Sequence, residues 1–225
     1  FLIRLDYDMK KFVIFDLDGT LLNTIADLGN ACNHALKEAG FSTHPLSAYN
    51  YMVGNGVRKL LERAQPDAGP ETIDAMLASF REYYDQHCTD MTKPYPGIPE
   101  LLLDLRDHDI AIAVTSNKYQ KAVDAIIRHY FPDIEFAAIL GEVSDRPKKP
   151  DPSIVFQALS DHPCPKRDVL YCGDSAVDME TARRACIESV GVTWGFRPVS
   201  ELKSAYADHI VSTPSEILDL ALAKE

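Results

Sequence analysis

Short apolar runs alternate with segments of helical periodicity in the part of the chain that follows Tyr95. The apolar runs predict strands at residues 110–114, 136–140, 168–172, 188–192 and 209–211. The periodic segments predict helices at residues 100–107, 118–129, 153–159 and 179–185, and a last helix that ends at residue 220. Strands that alternate with helices of this length are typical of a parallel sheet with helices on both faces. With a first strand at residues 12–15, the pattern predicts an α/β fold with a doubly wound parallel sheet.

The stretch between residues 25 and 92 interrupts this alternation. Its apolar positions recur with helical spacing at residues 28–39, 57–64 and 72–87, and turn-forming residues separate these segments at 54–56 and 66–70. A block of helices between the first strand and the rest of the sheet is most simply an inserted α-helical cap. We therefore predict an α/β core over residues 9–23 and 93–225, a cap over residues 24–92, and hinges at residues 22–24 and 93–97.

Composition excludes several classes of protein. The formal net charge of −11 argues against a nucleic-acid-binding protein, because such proteins usually carry a basic face. No apolar run approaches the ~20 residues that a membrane span needs. The five cysteines are odd in number and scattered, which is typical of reduced thiols. We therefore expect a cytoplasmic protein without nucleic-acid or membrane partners. Residues 1–8 precede a natural start at Met9, and we interpret them as a prefix of uncertain origin without a function.

Two carboxylates follow the first predicted strand. Asp16 and Asp18 are two positions apart, and Gly19 and Thr20 come directly after them. If the extended backbone continues through Asp18, side chains at i and i+2 project to the same side, so both carboxylates face one point. Open α/β sheets bind their ligands at the carboxyl ends of the strands. Because two acids held together repel each other, the pair indicates an active site with cation or proton chemistry.

Polar residues also follow the next predicted strand and precede the helix predicted at residues 153–159. Ser116 stands where a serine commonly caps a helix, and this interpretation competes with a functional one. Lys148 and Lys149 precede Asp151, which is predicted to be the N-cap of the next helix, with a proline in its first turn. A lysine pair is usually solvated. Neither position therefore identifies a site by itself.

A further polar group follows the strand predicted at residues 168–172. Ser175 and Asp178 have the spacing of a capping box, which gives Asp178 a structural interpretation. Asp174 has no such interpretation, because a carboxylate at the tip of a buried strand needs a partner. All these groups are predicted at the carboxyl ends of strands of one sheet, so they can converge on one site.

The motifs and their order resemble those of the haloacid dehalogenase superfamily, whose pattern is D-x-D-G-T, a strand that ends in Ser or Thr, a Lys, and G-D-x-x-x-D. Here these motifs are Asp16–Thr20, Ser116, Lys149 and Gly173–Asp178, and the resemblance extends from Lys10 to the carboxyl terminus. It implies a Rossmann-like core with a small α-helical cap. The segments at residues 53–58, 60–64, 95–97 and 116–118 resemble those of phosphoglycolate phosphatases in particular.

The resemblance implies a Mg²⁺-dependent phosphomonoester hydrolase that acts through an aspartyl-phosphate intermediate. It implies that Asp16 attacks phosphorus, and that Asp18 protonates the leaving alkoxide and then deprotonates the attacking water. The implied metal ligands are Asp16, Asp18 through its backbone carbonyl, and Asp174, with Asp178 in support. The implied phosphate- and substrate-binding residues are Ser116, Asn117 and Lys149.

Charge considerations support a metal ion and a lysine at such a site. Each unit repulsion at about 4 Å costs about 4 kcal/mol at an effective dielectric constant of about 20. A dianionic phosphate beside two or three carboxylates therefore cannot bind without compensation. Mg²⁺ and the ammonium group of Lys149 would supply that compensation.

Related activities remain as alternatives. A dehalogenase is disfavoured because its members lack the second acid, present here as Asp18, and a P-type ATPase would need membrane segments. A β-phosphoglucomutase shares Asp16 and Asp18 and is the main rival, and a sugar phosphatase or a pyrophosphatase is also compatible. A phosphonatase would need a cap lysine, but Lys37 and Lys59 fit solvated helix positions. A non-catalytic binding protein on this scaffold would be expected to have lost Asp16 or Lys149.

The identity of the substrate depends on the cap, which faces the core. Arg58 follows the Gly54-Asn55-Gly56 turn and either pairs with a second anionic group of the substrate or is an exposed helix arginine. The resemblance favours a small phosphorylated metabolite such as 2-phosphoglycolate. The sequence is compatible with a monomer or a homodimer.

Overall fold

β1 lies at the centre of a six-stranded sheet in the computed structural model, which describes residues 9–223. The predicted prefix, residues 1–8, lies outside the described residues. In chain order the strands are β1 (Phe12–Phe15), β2 (Leu22–Asn23), β3 (Lys93–Pro94), β4 (Ala111–Tyr119), β5 (Ala138–Glu142), β6 (Val169–Gly173), β7 (Glu188–Val192) and β8 (His209–Val211). The helices are α1 (Ile25–Glu38), α2 (Val57–Ala64), α3 (Pro70–His87), α4 (Ile98–Asp107), α5 (Gln120–Tyr130), α6 (Ser153–Asp161), α7 (Ala176–Ala185), α8 (Val199–Ser204) and α9 (Pro214–Leu222).

The sheet is parallel and is covered on both faces. Its strand order is β5-β4-β1-β6-β7-β8, and every neighbouring pair is parallel. Val13 and Phe15 belong to one cluster of buried side chains, whereas Phe12 and Ile14 belong to another. Successive side chains of a strand point to opposite faces, so the two clusters are the two covered faces of the sheet. The predicted doubly wound α/β fold is confirmed.

The strand β4 differs most from its prediction. It continues to Tyr119 instead of ending at residue 114, and the helix after it begins at Gln120 instead of Lys118. Its pairing with β5 is irregular between Thr115 and Tyr119. The N-cap of that helix is Tyr119, so Ser116 is not a helix N-cap. The Ser116 Oγ atom instead accepts a hydrogen bond from the Lys118 N–H.

The start of α6 is also displaced from its prediction. Pro152 is the N-cap residue instead of Asp151. The Asp151 carboxylate accepts a hydrogen bond from the Ser153 N–H at 2.9 Å, so it still contributes to the first turn. The short helix α8 and the pairing of β2 with β3 were not predicted.

The helices α1, α2 and α3 form a helical insertion (residues 24–92) between β2 and β3. The predicted helices at residues 57–64 and 72–87 are present, the first with the same bounds. Buried side chains at Phe80 and Tyr84 of α3, four positions apart, lie on the inward face of that helix. The division into a core and a cap stays a prediction.

Hydrogen bonds join the two segments that connect the helical insertion to the sheet. Leu22 and Asn23 pair with Pro94 and Lys93 in an antiparallel ribbon, where the sequence predicted hinges. Nearby, the buried carboxylate of Asp27 accepts hydrogen bonds from Met91 N–H, Thr92 N–H and the Thr92 hydroxyl at 2.7–3.0 Å. The chain therefore leaves the sheet and returns to it through one hydrogen-bonded junction.

Two expectations from composition concern the described residues. All five cysteines carry free thiols. Within residues 9–223, none of the helices combines the length and the apolar character needed to cross a membrane.

Candidate active site

The carboxyl ends of β1, β4 and β6 open into a cavity of about 650 Å³ beneath the helical insertion, counting the part open to solvent. Eight side chains were proposed for the site from the sequence, and seven of them line this cavity. They are Asp16, Asp18, Ser116, Asn117, Lys149, Asp174 and Asp178.

Asp16 follows the last residue of β1 at the floor of the cavity. Its N–H donates to the carbonyl of Cys172 at 2.8 Å, which continues the alignment with β6. Its carboxylate is buried, and Oδ1 lies 2.8 Å from Nζ of Lys149. The carboxylate predicted to be the nucleophile is therefore held in place by a buried ammonium group.

Asp18 lines the same cavity but has different partners from Asp16. β1 ends at Phe15 and a turn begins at Leu17, so the extended backbone assumed from the sequence does not continue through Asp18. The Asp18 Oδ1 atom accepts a hydrogen bond from the Thr24 hydroxyl at 2.5 Å and lies 3.0 Å from Nζ of Lys118. The two carboxylates are thus held by two separate ammonium groups.

Lys149 is buried, in contrast to the usual behaviour of a lysine pair. Its Nζ donates to Asp16 Oδ1 and Asp178 Oδ1, both at 2.8 Å, and to the carbonyl of Thr115 at 3.1 Å. These contacts use all three N–H donors of an ammonium group. Its neighbour Lys148 is exposed and pairs with Glu142.

Asn117 positions Lys149 through the backbone. Its Oδ1 accepts a hydrogen bond from the Lys149 N–H at 2.8 Å, and its Nδ2 donates to the Lys149 carbonyl at 3.1 Å. The same Nδ2 donates to the carbonyl of Gly54 in the helical insertion at 3.0 Å. The amide of Asn117 is therefore occupied by backbone groups, and substrate binding by Asn117 stays a prediction.

Three buried carboxylates form a candidate metal centre. Oxygen atoms of Asp16, Asp174 and Asp178 lie within 4.8 Å of one another. The capping box predicted for Ser175 and Asp178 is present, and it fixes Asp178 at the start of α7. Asp178 therefore has both a structural role and a place in the carboxylate cluster.

Two glycines pack directly against Asp174. A Cβ atom at Gly19 or Gly195 would overlap the Asp174 side chain. The Asp174 Oδ2 atom also accepts a hydrogen bond from the Phe196 N–H at 2.6 Å. Glycine at both positions lets the loops after β1 and β7 approach this carboxylate closely.

The carboxylate cluster carries more negative charge than its protein partners compensate. Burial and then the charge of Asp178 raise the pKa of Asp16 to about 7, although Lys149 opposes this shift. Burial, followed by the charges of Asp178 and Asp16, raises the pKa of Asp174 well above its usual value. One ammonium group beside three carboxylates leaves a deficit of positive charge. Carboxylate oxygens are ligands that Mg²⁺ prefers, so this donor set fits a divalent cation.

We expect Mg²⁺ to stabilise the protein more at high pH than at low pH. The raised pKa of Asp16 means that, without metal, its contribution to stability falls as pH rises from the unfolded value near 3.8 towards 7. A cation binds the ionised carboxylates and reverses this loss. Thermal unfolding of metal-free protein, with and without Mg²⁺, should show the larger increase in Tm at about pH 8 and the smaller at about pH 5.5. Equal increases at both values would contradict the expectation.

The structure does not bring Arg58 to the cavity. Val57 is buried and lines the cavity, but the next residue of α2 is turned by about 100° around the helix. The Arg58 side chain is 43% exposed, and its guanidinium pairs with Asp74 of α3. Of the two interpretations offered by the sequence, this placement corresponds to the exposed helix arginine.

Lys118 and Arg197 line the cavity and were not identified from the sequence. The sequence pattern predicted that Lys118 begins a helix. Lys118 is, however, two positions after Ser116, and side chains two positions apart in a strand project to the same side. That spacing was the available signal for Lys118. Arg197 lies in the loop after β7, where no motif indicated it; its Nη2 donates to the carbonyl of Val53 at 3.1 Å.

Comparison with known proteins gives one consistent family. A family model for haloacid dehalogenase-like hydrolases matches residues 13–192. The chain is 30% identical to a phosphoglycolate phosphatase of Vibrio vulnificus (strain CMCP6), over 94% of this chain and 96% of the relative. It is 31% identical to a phosphoglycolate phosphatase of Aquifex aeolicus (strain VF5), over 93% and 96%.

Solved structures agree with this assignment. A crystal structure described as a predicted phosphoglycolate phosphatase from Haemophilus somnus 129pt has a TM-score of 0.88 and 27% identity, over 95% of this chain and 98% of that one. The residues matched by the family model include the whole carboxylate cluster and Lys149. The chain therefore belongs to the haloacid dehalogenase-like hydrolase family and is similar to phosphoglycolate phosphatases over nearly its whole length.

Proposed function

We propose that the protein is a Mg²⁺-dependent phosphatase that hydrolyses a small phosphomonoester, most simply 2-phosphoglycolate, through a phosphorylated Asp16. The observation that carries this proposal is the buried contact between Asp16 Oδ1 and the Lys149 ammonium at the floor of the cavity. A carboxylate held in this way can face an anionic phosphate, because the neighbouring cation offsets part of the repulsion.

In the proposed first step, a carboxylate oxygen of Asp16 forms a bond to phosphorus while the ester P–O bond breaks. Asp18 gives its proton to the departing alkoxide. In the second step, Asp18 takes a proton from water, and that water attacks phosphorus while the bond between phosphorus and the Asp16 oxygen breaks. Inorganic phosphate is released and the Asp16 carboxylate is regenerated.

Ser116 is proposed to donate a hydrogen bond to a phosphoryl oxygen, and the Lys149 ammonium is proposed to neutralise negative charge beside it. Both side chains are buried and line the cavity beside Asp16. The Ser116 hydroxyl accepts the Lys118 N–H, so its own hydrogen can be donated to a phosphoryl oxygen. Asn117 supports this arrangement by holding both backbone groups of Lys149.

The residues proposed to hold Mg²⁺ are Asp16, Asp174 and the backbone carbonyl of Asp18, with Asp178 in support. When bound, Mg²⁺ would neutralise negative charge on the carboxylates and on the phosphoryl group. Asp178 donates no proton in this scheme. It keeps Lys149 in place through the 2.8 Å contact with its Nζ.

The helical insertion is proposed to act as the cap that selects the substrate. It contributes the apolar side chains of Leu28, Val57 and Leu60 to the cavity. This lining offers few polar contacts, so it limits which leaving groups can bind. The similarity of the chain to phosphoglycolate phosphatases supports 2-phosphoglycolate as the proposed substrate.

A kinetic panel with Mg²⁺ tests the proposal. We expect kcat/KM to be highest for 2-phosphoglycolate among 2-phosphoglycolate, sugar phosphates, nucleotides, pyrophosphate and β-glucose 1-phosphate. Release of inorganic phosphate is measured in each case. If none of these substrates releases phosphate, the proposal is contradicted. Conversion of β-glucose 1-phosphate into glucose 6-phosphate without release of phosphate would indicate the rival phosphoglucomutase activity.

A further inference from the structure

Lys118 is a second buried lysine of the cavity, and the proposed chemistry does not use it. Only 5% of this residue is exposed. Its Nζ donates to the hydroxyl of Tyr84 at 2.8 Å, lies 4.7 Å from the centre of the same ring, and forms the 3.0 Å ion pair with Asp18. A buried ammonium group needs a reason, because its desolvation is costly.

Among the described residues, Lys118 and Tyr84 each have a hydrogen-bond donor without an acceptor, whereas all three donors of the Lys149 ammonium have one. An ammonium group has three N–H donors, and Lys118 makes two polar contacts among the described residues. The Tyr84 hydroxyl accepts from Lys118, and its own hydrogen has no acceptor within the described part of the chain. Burial, followed by the charge of Asp18, raises the pKa of Tyr84 well above its usual value, so that hydrogen is retained.

We propose that Lys118 and Tyr84 together bind a carboxylate on the leaving group of the substrate, immediately beside the ester oxygen. The inference rests on the proposed phosphatase function and names the residues that determine specificity. Two donors from neighbouring groups match the two oxygens of a carboxylate. Arg58, which the sequence suggested for this role, lies outside the cavity.

The position of Asp18 sets the distance between the two anionic groups of the substrate. Asp18 must be within hydrogen-bond reach of the ester oxygen to protonate it. Lys118 Nζ is 3.0 Å from the Asp18 carboxylate. The carboxylate of the leaving group must therefore be only a few bonds from the ester oxygen, as in phosphate esters of 2-hydroxy acids. In esters whose carboxylate is many bonds from the ester oxygen, the carboxylate would lie outside this site.

The proposed carboxylate site is divided between the two parts of the molecule. Lys118 belongs to β4 of the sheet, whereas Tyr84 belongs to α3 of the helical insertion. The site is therefore complete only when the insertion lies against the sheet. A leaving group with a carboxylate would hold the two parts together through this site.

The test compares 2-phosphoglycolate with 2-hydroxyethyl phosphate, in which a hydroxymethyl group replaces the carboxylate. The measured quantity is the ratio of kcat/KM for the two substrates. Because a charge-assisted contact is removed, Lys118→Met should lower this ratio about tenfold to a hundredfold. Tyr84→Phe should lower it about threefold to tenfold. Lys118→Arg keeps the charge and should retain part of the preference.

Lys121→Met is the matched control, because the Lys121 side chain is 77% exposed and pairs with Asp85 outside the cavity. It should leave the ratio unchanged. Equal losses on both substrates in Lys118→Met and Tyr84→Phe would overturn the inference, since Lys118 would then act only on Asp18. Measurement of Tm identifies variants that fail to fold.

A binding experiment separates this inference from the proposed function. If the wild-type protein hydrolyses neither ester, the phosphatase proposal fails. The affinity for 2-phosphoglycolate is then measured by calorimetry in Asp16→Asn and in Asp16→Asn combined with Lys118→Met. Weaker binding in the double variant supports the carboxylate site, and equal binding overturns it.

Discussion

Asp16→Asn is expected to lower kcat by about 10⁴-fold or more while the protein stays folded. The amide keeps the shape of the carboxyl group but cannot form the bond to phosphorus. The charge that it removes is unfavourable in the metal-free protein, because burial and Asp178 raise the pKa of Asp16. The Tm at neutral pH should therefore be unchanged or higher. Release of phosphate and thermal unfolding are the two measurements.

Asp145→Asn is the control for Asp16→Asn. Asp145 is exposed and lies outside the cavity, so the same chemical change should leave kcat close to that of the wild type. Activity of Asp16→Asn within tenfold of the wild type would rule out the covalent mechanism. A large fall in Tm would instead identify Asp16 as a residue needed for folding.

The second large effect is expected from Lys149→Met. Because its Nζ contacts both Asp16 and Asp178, removal of the charge leaves two buried carboxylates without their shared cation. Breaking a buried ion pair costs about 3–5 kcal/mol of stability. The loss of a preorganised charge at the phosphoryl group should lower kcat about 10²–10³-fold. We expect Mg²⁺ to restore part of the Tm and little of the activity.

Lys148→Met provides an adjacent control. The Lys148 side chain is 38% exposed and pairs with Glu142, and surface pairs of this kind contribute about 0–1 kcal/mol. Its removal should therefore change Tm and kcat little. Similar losses in Lys148→Met and Lys149→Met would show that the segment matters as a whole, and would contradict the specific role of the Lys149 ammonium group.

The sheet could be predicted because its strands are buried on both faces and appear as short apolar runs. β7 and β8 have the bounds expected from the sequence. β4 could not be predicted to its end, because Ser116, Asn117 and Lys118 are polar residues in a buried, extended segment. Asn117 and Lys118 form hydrogen bonds with residues distant in sequence, Gly54 and Tyr84, and local periodicity carries no information on such contacts.

The candidate site was predictable where its residues end strands of the sheet. Asp16 and Asp174 follow neighbouring strands, so their convergence follows from the strand order. The contribution of the helical insertion was not predictable in this way. Arg58 and Val57 are adjacent in sequence, yet only Val57 faces the cavity, because the packing of α2 against its neighbours decides which side is buried.

The ribbon formed by β2 and β3 has a consequence for the evolution of the chain. Asn23 and Lys93 are partners across this ribbon, so the two ends of the insertion are adjacent in space. The entropy of closing a loop grows only slowly with its length. The segment between these residues can therefore be lengthened, shortened or replaced without a change in the register of the central sheet. Exchange of one contiguous piece of the gene would therefore replace the Tyr84 half of the proposed carboxylate site and leave Lys118 of the sheet in place.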